Sequence, residues 1–533
     1  MWTVVLLLFA SSLVVGSKLD PIVSTNAGVI QGVRTDNGSK FIGIRYGVVD
    51  TNNPFGISTP QPRFDNIFQA NKYVACPQLG RGDIDCLRLN IFVPSTASST
   101  NRLPVLVWVH QGSFVEGSGH REAADPVSLL RNDVIVVSIN YRLGPYGFMC
   151  LGIPEVPGNQ GLKDQVLAFR WINENIESFG GDASQITAMG ESSGGISVNL
   201  HLYSTYEKLF HRAIIQSGPA LSPWVMIEND FTVPQRLAQE LGYNTTDVRE
   251  ALAYLATIDP QTLIRISFET LIIDSLSSSC IEQYFEGVQP FLTDHPINTI
   301  SSKVSSTQII IGSTDQESMF RFKPAGENFF VNYDLGEFLA RGFDLDSDTQ
   351  EVIDHIRHFY IGEQNIDANV RYQLADLATD FVWTHATQRM IEQFLDNGAP
   401  VVYRYMFLYN GGRNMESVTL KLNITGASHA DELGYLFDLN IFTGETSPED
   451  QLVVDRITTL WTNFVKFGNP TPETTELLPV IWEPVTKTSQ VYLEIDDDIA
   501  LKARPVNDRM AFWDVVYRLY RNQQKWYRPS DLI

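Results

Sequence analysis

The pentapeptide Gly190-Glu191-Ser192-Ser193-Gly194 stands between a short apolar stretch, Ile186 to Met189, and a run of helical character, Gly195 to Leu200. A serine with glycine two residues away on either side, strand-like sequence before it and helix-like sequence after it, fits a sharp strand-to-helix turn. There the backbone is strained and neighbouring chain passes close, so a β-carbon at 190 or 194 has no room. Such a turn lifts the hydroxyl to the carboxyl edge of a sheet. It also leaves the N–H of Ser193, at the helix start, free to meet developing negative charge. Ser192 is the candidate nucleophile.

The flanking sequence predicts an α/β fold. Near-continuous apolar strands at Val105–Val109, Val134–Ile139, Ile186–Met189, Ala213–Gln216, Gln308–Ile311 and Val401–Met406 are interleaved with helical stretches, the clearest from Leu162 to Phe179. Alternation of this kind builds a large, mostly parallel central sheet covered by helices on both faces. In such sheets the chemistry gathers in the loops at the carboxyl ends of the strands.

Charge and leader narrow the function classes. With 39 basic against 62 acidic residues the net charge is −23, which repels phosphate backbones and anionic membrane surfaces, so nucleic acid is excluded as a partner. Residues 1–17 form an apolar run ending in small residues and read as a cleavable signal peptide, with cleavage near Gly16 or Ser17. No second long apolar run follows and no lipid-anchor tail closes the chain, so the remainder, 18–533, is expected to be one secreted, extracellular domain without a membrane anchor. Sequons at Asn37, Asn244 and Asn423 fit that route, while Asn469 is excluded by Pro470. Of four cysteines, Cys76 and Cys86 enclose nine residues including Gly80 and Gly82, which suits a small closed loop; the state of Cys150 and Cys280 stays open.

A serine hydroxyl at neutral pH needs a histidine to take its proton and a carboxylate to orient that histidine. His429, in Gly426-Ala427-Ser428-His429-Ala430-Asp431-Glu432, follows the serine, as the chain order of nucleophile-elbow enzymes requires. His355 and His358, three apart on a predicted helix without a neighbouring zinc-protease glutamate, read as a surface pair. The acid is sought between Ser192 and His429, and the polar loop after the apolar strand Gln308–Ile311 offers Asp315 or Glu317; spacing alone does not choose between them.

The ordered stretches Asp85–Ile91, Asn140–Pro145, Pro157–Gln165, Phe179 through Gly195 and Gln216-Ser217-Gly218 resemble the type-B carboxylesterases, the family that also holds the cholinesterases, within the α/β-hydrolase fold. The resemblance covers nearly the whole chain after the leader, and the run His429–Leu433 is similar to insect carboxylesterases. It implies a triad of Ser192, His429 and Glu317, the acid lying five residues after the strand-end glycine Gly312. The family's oxyanion segment, His-Gly-Gly-Gly-Phe, corresponds to His110-Gln111-Gly112-Ser113-Phe114. Because the donors are backbone N–H groups, Gly112 and Ser113 are expected to supply them beside Ser193, on condition that Gln111 accepts the local backbone geometry.

The resemblance also places Cys76 and Cys86 in the family's first disulfide loop. Here the loop carries no aromatic residue to bind choline through a ring face, which argues against a choline-ester specialist. Trp224 matches a position that walls the acyl pocket, and Glu191 matches the residue beside the nucleophile in general esterases and cholinesterases, where juvenile hormone esterases usually carry glutamine. The expectation is a secreted serine esterase acting on a small-molecule ester through an acyl-enzyme, with neither metal nor organic cofactor. The alternative is a catalytically silent or weak relative used for ligand binding or adhesion, as some members of this family are.

Overall fold

The computed structural model describes residues 20–120, 126–344 and 350–526. The apolar leader at 1–17 and the last residues, from 527, lie outside the described residues.

Eleven strands make one sheet: β1 (Val33–Thr35), β2 (Gly38–Arg45), β3 (Arg88–Pro94), β4 (Leu103–Val109), β5 (Ile135–Ile139), β6 (Gly181–Glu191), β7 (Arg212–Gln216), β8 (Gln308–Thr314), β9 (Val402–Phe407), β10 (Val491–Ile495) and β11 (Ile499–Ala503). Their spatial order is β11-β10-β9-β8-β7-β6-β4-β5-β3-β2-β1. Every pairing from β10 across to β5 is parallel. Antiparallel strands close both edges. This is the mostly parallel sheet the apolar strands predict, in the α/β-hydrolase arrangement the resemblance implies.

Both faces of the parallel block are buried, which is why its strands read as apolar runs rather than as alternating ones. Val105, Val107 and Val109 of β4 enter one hydrophobic cluster, and Leu106 and Trp108 enter the other. The same division separates Ile309 and Ile311 from Ile310 on β8. Helix α1 (Gln160–Asn175) contributes Leu162, Val166, Phe169 and Ile172 to the first cluster. Helix α2 (Ser193–His201) follows the nucleophile turn. The long helix α3 (Pro448–Phe467) packs Val453, Ile457, Leu460, Trp461 and Phe464 into the second cluster. The helical stretch expected to run to Phe179 ends at Asn175 and finishes as a 3₁₀ turn, Ile176–Phe179, after which Gly180 turns the chain into β6 with φ +83°.

The stretches Asn140–Pro145 and Pro157–Gln165, which carry part of the resemblance, meet in the core. Arg142 pairs with Asp164 at 2.8 Å, both fully buried, and the same guanidinium donates to the carbonyls of Pro54 and Gly56. An ion pair so fully bonded holds loops together, and removing one partner costs about 3–5 kcal/mol. Two disulfides are present: Cys76–Cys86, and Cys150–Cys280, which sequence left open. Gly158 sits against the second, where an added β-carbon would come within 2.6 Å of Cys150 Sγ and 2.7 Å of Cys280 Sγ. Asn37, Asn244 and Asn423 are all exposed. Among the described residues no helix is long and apolar enough to cross a membrane.

Candidate active site

Strand register brings the motif residues to one edge. Gly190 of β6 lies opposite Val109 of β4, Glu191 opposite Gln216 of β7, and Gln216 opposite Gly312 of β8. The segments that follow, Ser192, His110–Phe114, Ser217 and Asp315–Glu317, therefore leave the sheet side by side.

Ser192 has φ +52° and ψ −125°, a conformation L-residues rarely adopt, and its N–H is held by the Gln216 carbonyl at 2.9 Å. The glycines around it are demanded by close approach. A β-carbon on Gly190 would meet the Gly194 carbonyl carbon at 2.3 Å, and one on Gly194 would meet the Val109 carbonyl oxygen at 2.0 Å. Ser193 opens α2, so its N–H has no carbonyl of the preceding turn to bond.

The imidazole of His429 is reached from two sides. Nδ1 lies 2.5 Å from Glu317 Oε2, and Nε2 lies 3.2 Å from Glu191 Oε1. The other Glu317 oxygen accepts from Ser217 Oγ at 2.5 Å and Thr314 N–H at 2.8 Å, so this fully buried carboxylate is fixed by three donors. The structure thus brings Glu317, not Asp315, onto the histidine. Asp315 serves the loop instead: Oδ1 accepts the Ala427 N–H at 2.8 Å, while Gln316 N–H donates to the Ala427 carbonyl and His429 N–H to the Glu317 carbonyl. Two short segments, 315–317 and 427–429, are thereby laced together with the acid facing the imidazole.

Among the described residues, the Ser192 hydroxyl makes no hydrogen bond to His429; the ring nitrogen that would take its proton faces the carboxylate of the adjacent Glu191. With an acceptor on each nitrogen, the ring is favoured as imidazolium. Burial works against that charge, but Glu191 and Glu317 outweigh it and raise the His429 pKa to about 10. Glu432, fully buried three residues on, accepts from Gln216 Nε2 and Tyr405 OH, both at 3.1 Å. Burial, with the charge of Glu317, pushes its carboxyl up to about 7. Catalytic hydrogen bonds are often long or misaligned without substrate, so a resting serine need not touch its base.

The oxyanion segment turns tightly, with Val115 N–H and Glu116 N–H both bonded to the Gly112 carbonyl at 2.9 and 3.0 Å. Gly112 has φ +118° and a β-carbon there would meet the Glu116 carbonyl at 2.1 Å, so this glycine is obligatory. Gln111 does not bear the cost: it lies outside the left-handed region, which is instead occupied by Ser113 at φ +53° and Phe114 at φ +60°. The turn is buttressed by the Cys76–Cys86 loop. Gln78 of that loop donates through Nε2 to the Gly117 carbonyl at 2.7 Å and accepts the Gly117 N–H at 3.0 Å.

Around the imidazole stand two aromatic rings that no motif marked, Trp383 at 4.6 Å and Phe320 at 5.5 Å between ring centroids. Trp383 belongs to a π-helical turn, Asp380–Thr384, a widening that local sequence gives little sign of. Trp224 does not touch the imidazole; it packs against Phe338 under the side chains of Arg321 and Arg341. His355 and His358 lie on the helix Gln350–Tyr360, near Tyr520 and Glu363 respectively. Among the described residues no group of three or more His, Cys, Asp or Glu side chains is arranged to hold a metal ion.

Residues 19–513 match the model of the Carboxylesterase family. The chain is 31% identical to bile salt-activated lipase from Homo sapiens over 82% of its own length, spanning about 60% of that relative. It is 31% identical to juvenile hormone esterase from Tribolium castaneum, covering 76% of this chain and 73% of the relative. To esterase FE4 of Myzus persicae it is 31% identical, over 76% of this chain and 74% of the relative.

Proposed function

The chain belongs to the carboxylesterase family, and on that premise we propose that it is a secreted serine esterase hydrolysing small carboxylic esters through Ser192, His429 and Glu317. The observation carrying this reading is the His429 imidazole fixed by the Glu317 carboxylate, its other nitrogen on Glu191, the residue before a strained serine at a glycine-walled strand-to-helix turn. The mature chain, 18–533, acts as one domain after removal of the leader.

In the first half-reaction the His429 ring, as the neutral base, swings Nε2 from Glu191 to Ser192 Oγ. It takes the hydroxyl proton as the oxygen bonds to the ester carbonyl carbon. Negative charge gathers on the former carbonyl oxygen, where the N–H groups of Gly112, Ser113 and Ser193 receive it, each worth about 3 kcal/mol of barrier. His429 then returns the proton to the departing alkoxide as the carbon–oxygen bond breaks, releasing the alcohol. Water, deprotonated by the same nitrogen, attacks the acyl carbon, and as the bond from that carbon to Ser192 Oγ breaks His429 returns the proton to Oγ, freeing the acid and Ser192. Glu317 keeps the Nδ1 proton in place throughout.

Ser192→Ala is expected to lower kcat on a short aryl ester by up to about a millionfold. An organophosphate should leave a single stoichiometric adduct on the peptide bearing Ser192, with loss of activity. An unchanged rate in the alanine variant, or full activity after labelling, would remove Ser192 as the nucleophile, whereas no hydrolysis by the unsubstituted chain would leave the silent-relative alternative standing.

A further inference from the structure

Trp224 packs on an aromatic cluster and carries two exposed arginines over its indole. The Arg321 guanidinium lies 5.4 Å and that of Arg341 4.9 Å from the centre of the indole, and Arg321 also lies 5.7 Å from the Phe329 ring. Cation–ring contacts are favourable but leave guanidinium N–H groups unspent. Among the described residues neither arginine meets a carboxylate within 4.0 Å or donates a side-chain hydrogen bond, in a chain whose acidic residues outnumber its basic ones 62 to 39.

Two further donors in the same cluster are buried and unsatisfied: the Trp224 indole N–H and the Tyr333 hydroxyl. The cluster is continuous, Tyr333 packing on Phe329 at 5.7 Å and on Phe338 at 6.0 Å, and Phe338 on Trp224 at 6.3 Å. Burial raises the Tyr333 phenol well above its usual range against a smaller opposing pull from Arg321, so it stays a donor. A buried donor without an acceptor is destabilising, and an incoming acceptor would relieve it. The cluster is tied to the candidate active site through one short helix, Met319–Phe322. Arg321 follows Phe320, whose ring stands 5.5 Å from His429 and whose N–H donates to Ser428 Oγ at 3.1 Å.

We propose that Arg321 and Arg341, with the Trp224 indole N–H and the Tyr333 hydroxyl, form an anion subsite that selects esters whose far end carries a carboxylate. The inference rests on the esterase reading and narrows its substrate class to half-esters of dicarboxylic acids and their like. A neutral acyl chain of equal length fills the same apolar wall of Phe329 and Phe338 but leaves the two donors and two charges unanswered. Discrimination is therefore expected to be set by charge rather than by length. A planar carboxylate also suits the bidentate donor fork of a guanidinium.

The test compares kcat/KM for 4-nitrophenyl hemisuberate and 4-nitrophenyl octanoate, acyl chains matched in carbon number, with the full chain. The unsubstituted enzyme should favour the anionic ester. That preference should fall about fivefold with Arg321→Gln or Arg341→Gln, more in the double variant, as expected for loss of a charge-assisted contact. Added salt should erode the preference in the unsubstituted enzyme, a reading that needs no variant to fold. Hydrolysis of octanoate at an equal or higher rate, with a ratio insensitive to salt and to both substitutions, overturns the subsite and leaves the esterase standing. Hydrolysis of neither ester overturns the esterase reading itself.

Discussion

The two carboxylates on His429 make its protonation the most exposed quantity in the site. An imidazole is a base only when neutral, and a pKa raised to about 10 means that the neutral form accumulates as pH climbs through that value. The activity of the free enzyme should therefore rise with pH along a limb set by this group. Replacing Glu191 by glutamine keeps an oxygen acceptor beside Nε2 and removes one unit of charge at 3.2 Å. Coulomb's law gives that charge about 5 kcal/mol at an effective dielectric near 20 and about 1 kcal/mol at that of water. Even the lower figure corresponds to about one pKa unit. Glu317 still holds Nδ1 in the variant, so its share of the shift remains. The limb of kcat/KM against pH, normalised to its own plateau for a neutral aryl ester, should move to lower pH by at least about one unit. Normalisation matters because the substitution also alters the plateau. A limb that stays where it was, or moves upward, would refute the claim that Glu191 holds the resting imidazole charged.

Glu317→Gln should lower kcat by about 10⁴-fold with the fold intact, because an amide stabilises neither the tautomer nor the imidazolium; Asp315→Asn, which only loosens the loop's tie to Ala427, should cost far less. Comparable losses in both would mean that the contact with His429 does not single out Glu317 as the acid. Gly112→Ala should reduce kcat by about 10²–10³-fold with little change in KM, since φ +118° and a 2.1 Å approach to the Glu116 carbonyl force the oxyanion turn apart; an intact kcat would remove this turn from transition-state binding. Protein collected from culture medium should begin within a residue or two of Ser17 and lose mass on enzymatic deglycosylation, with Asn37, Asn244 and Asn423 as the acceptors; a chain beginning at Met1 contradicts the leader.

Sequence was most informative where one backbone geometry excludes other residues. The elbow was legible because Gly190 and Gly194 each face main chain at distances no β-carbon tolerates. The central strands were legible because burial on both faces leaves few polar positions to break an apolar run. The strands β1, β2, β3, β10 and β11 escaped notice because charged, polar or glycine residues break their apolar runs, Gly43 in β2, Asn90 in β3 and Glu494 in β10 among them. At Gln111 a missing glycine suggested strain, yet the left-handed positions fall at Gly112, Ser113 and Phe114; a run of three glycines does not say which of them the turn needs.

Contacts made across the fold left no local mark at all. Ser217 was read only as part of a matching stretch, and its grip on Glu317 depends on β7 and β8 lying in register, with Gln216 opposite Gly312. Gln78 reaches Gly117 from a disulfide loop whose sequence shows only that it can close. Trp383 reaches His429 because a π-helical turn inserts extra chain into a helix, and the same segment places Asp380 against Arg509 and Tyr360. Burial pushes the Asp380 carboxyl up to about 7 despite those partners. That turn sets Trp383 against the imidazole, so the wall beside the Glu317–His429 pair depends on a helical widening that no local pattern marks.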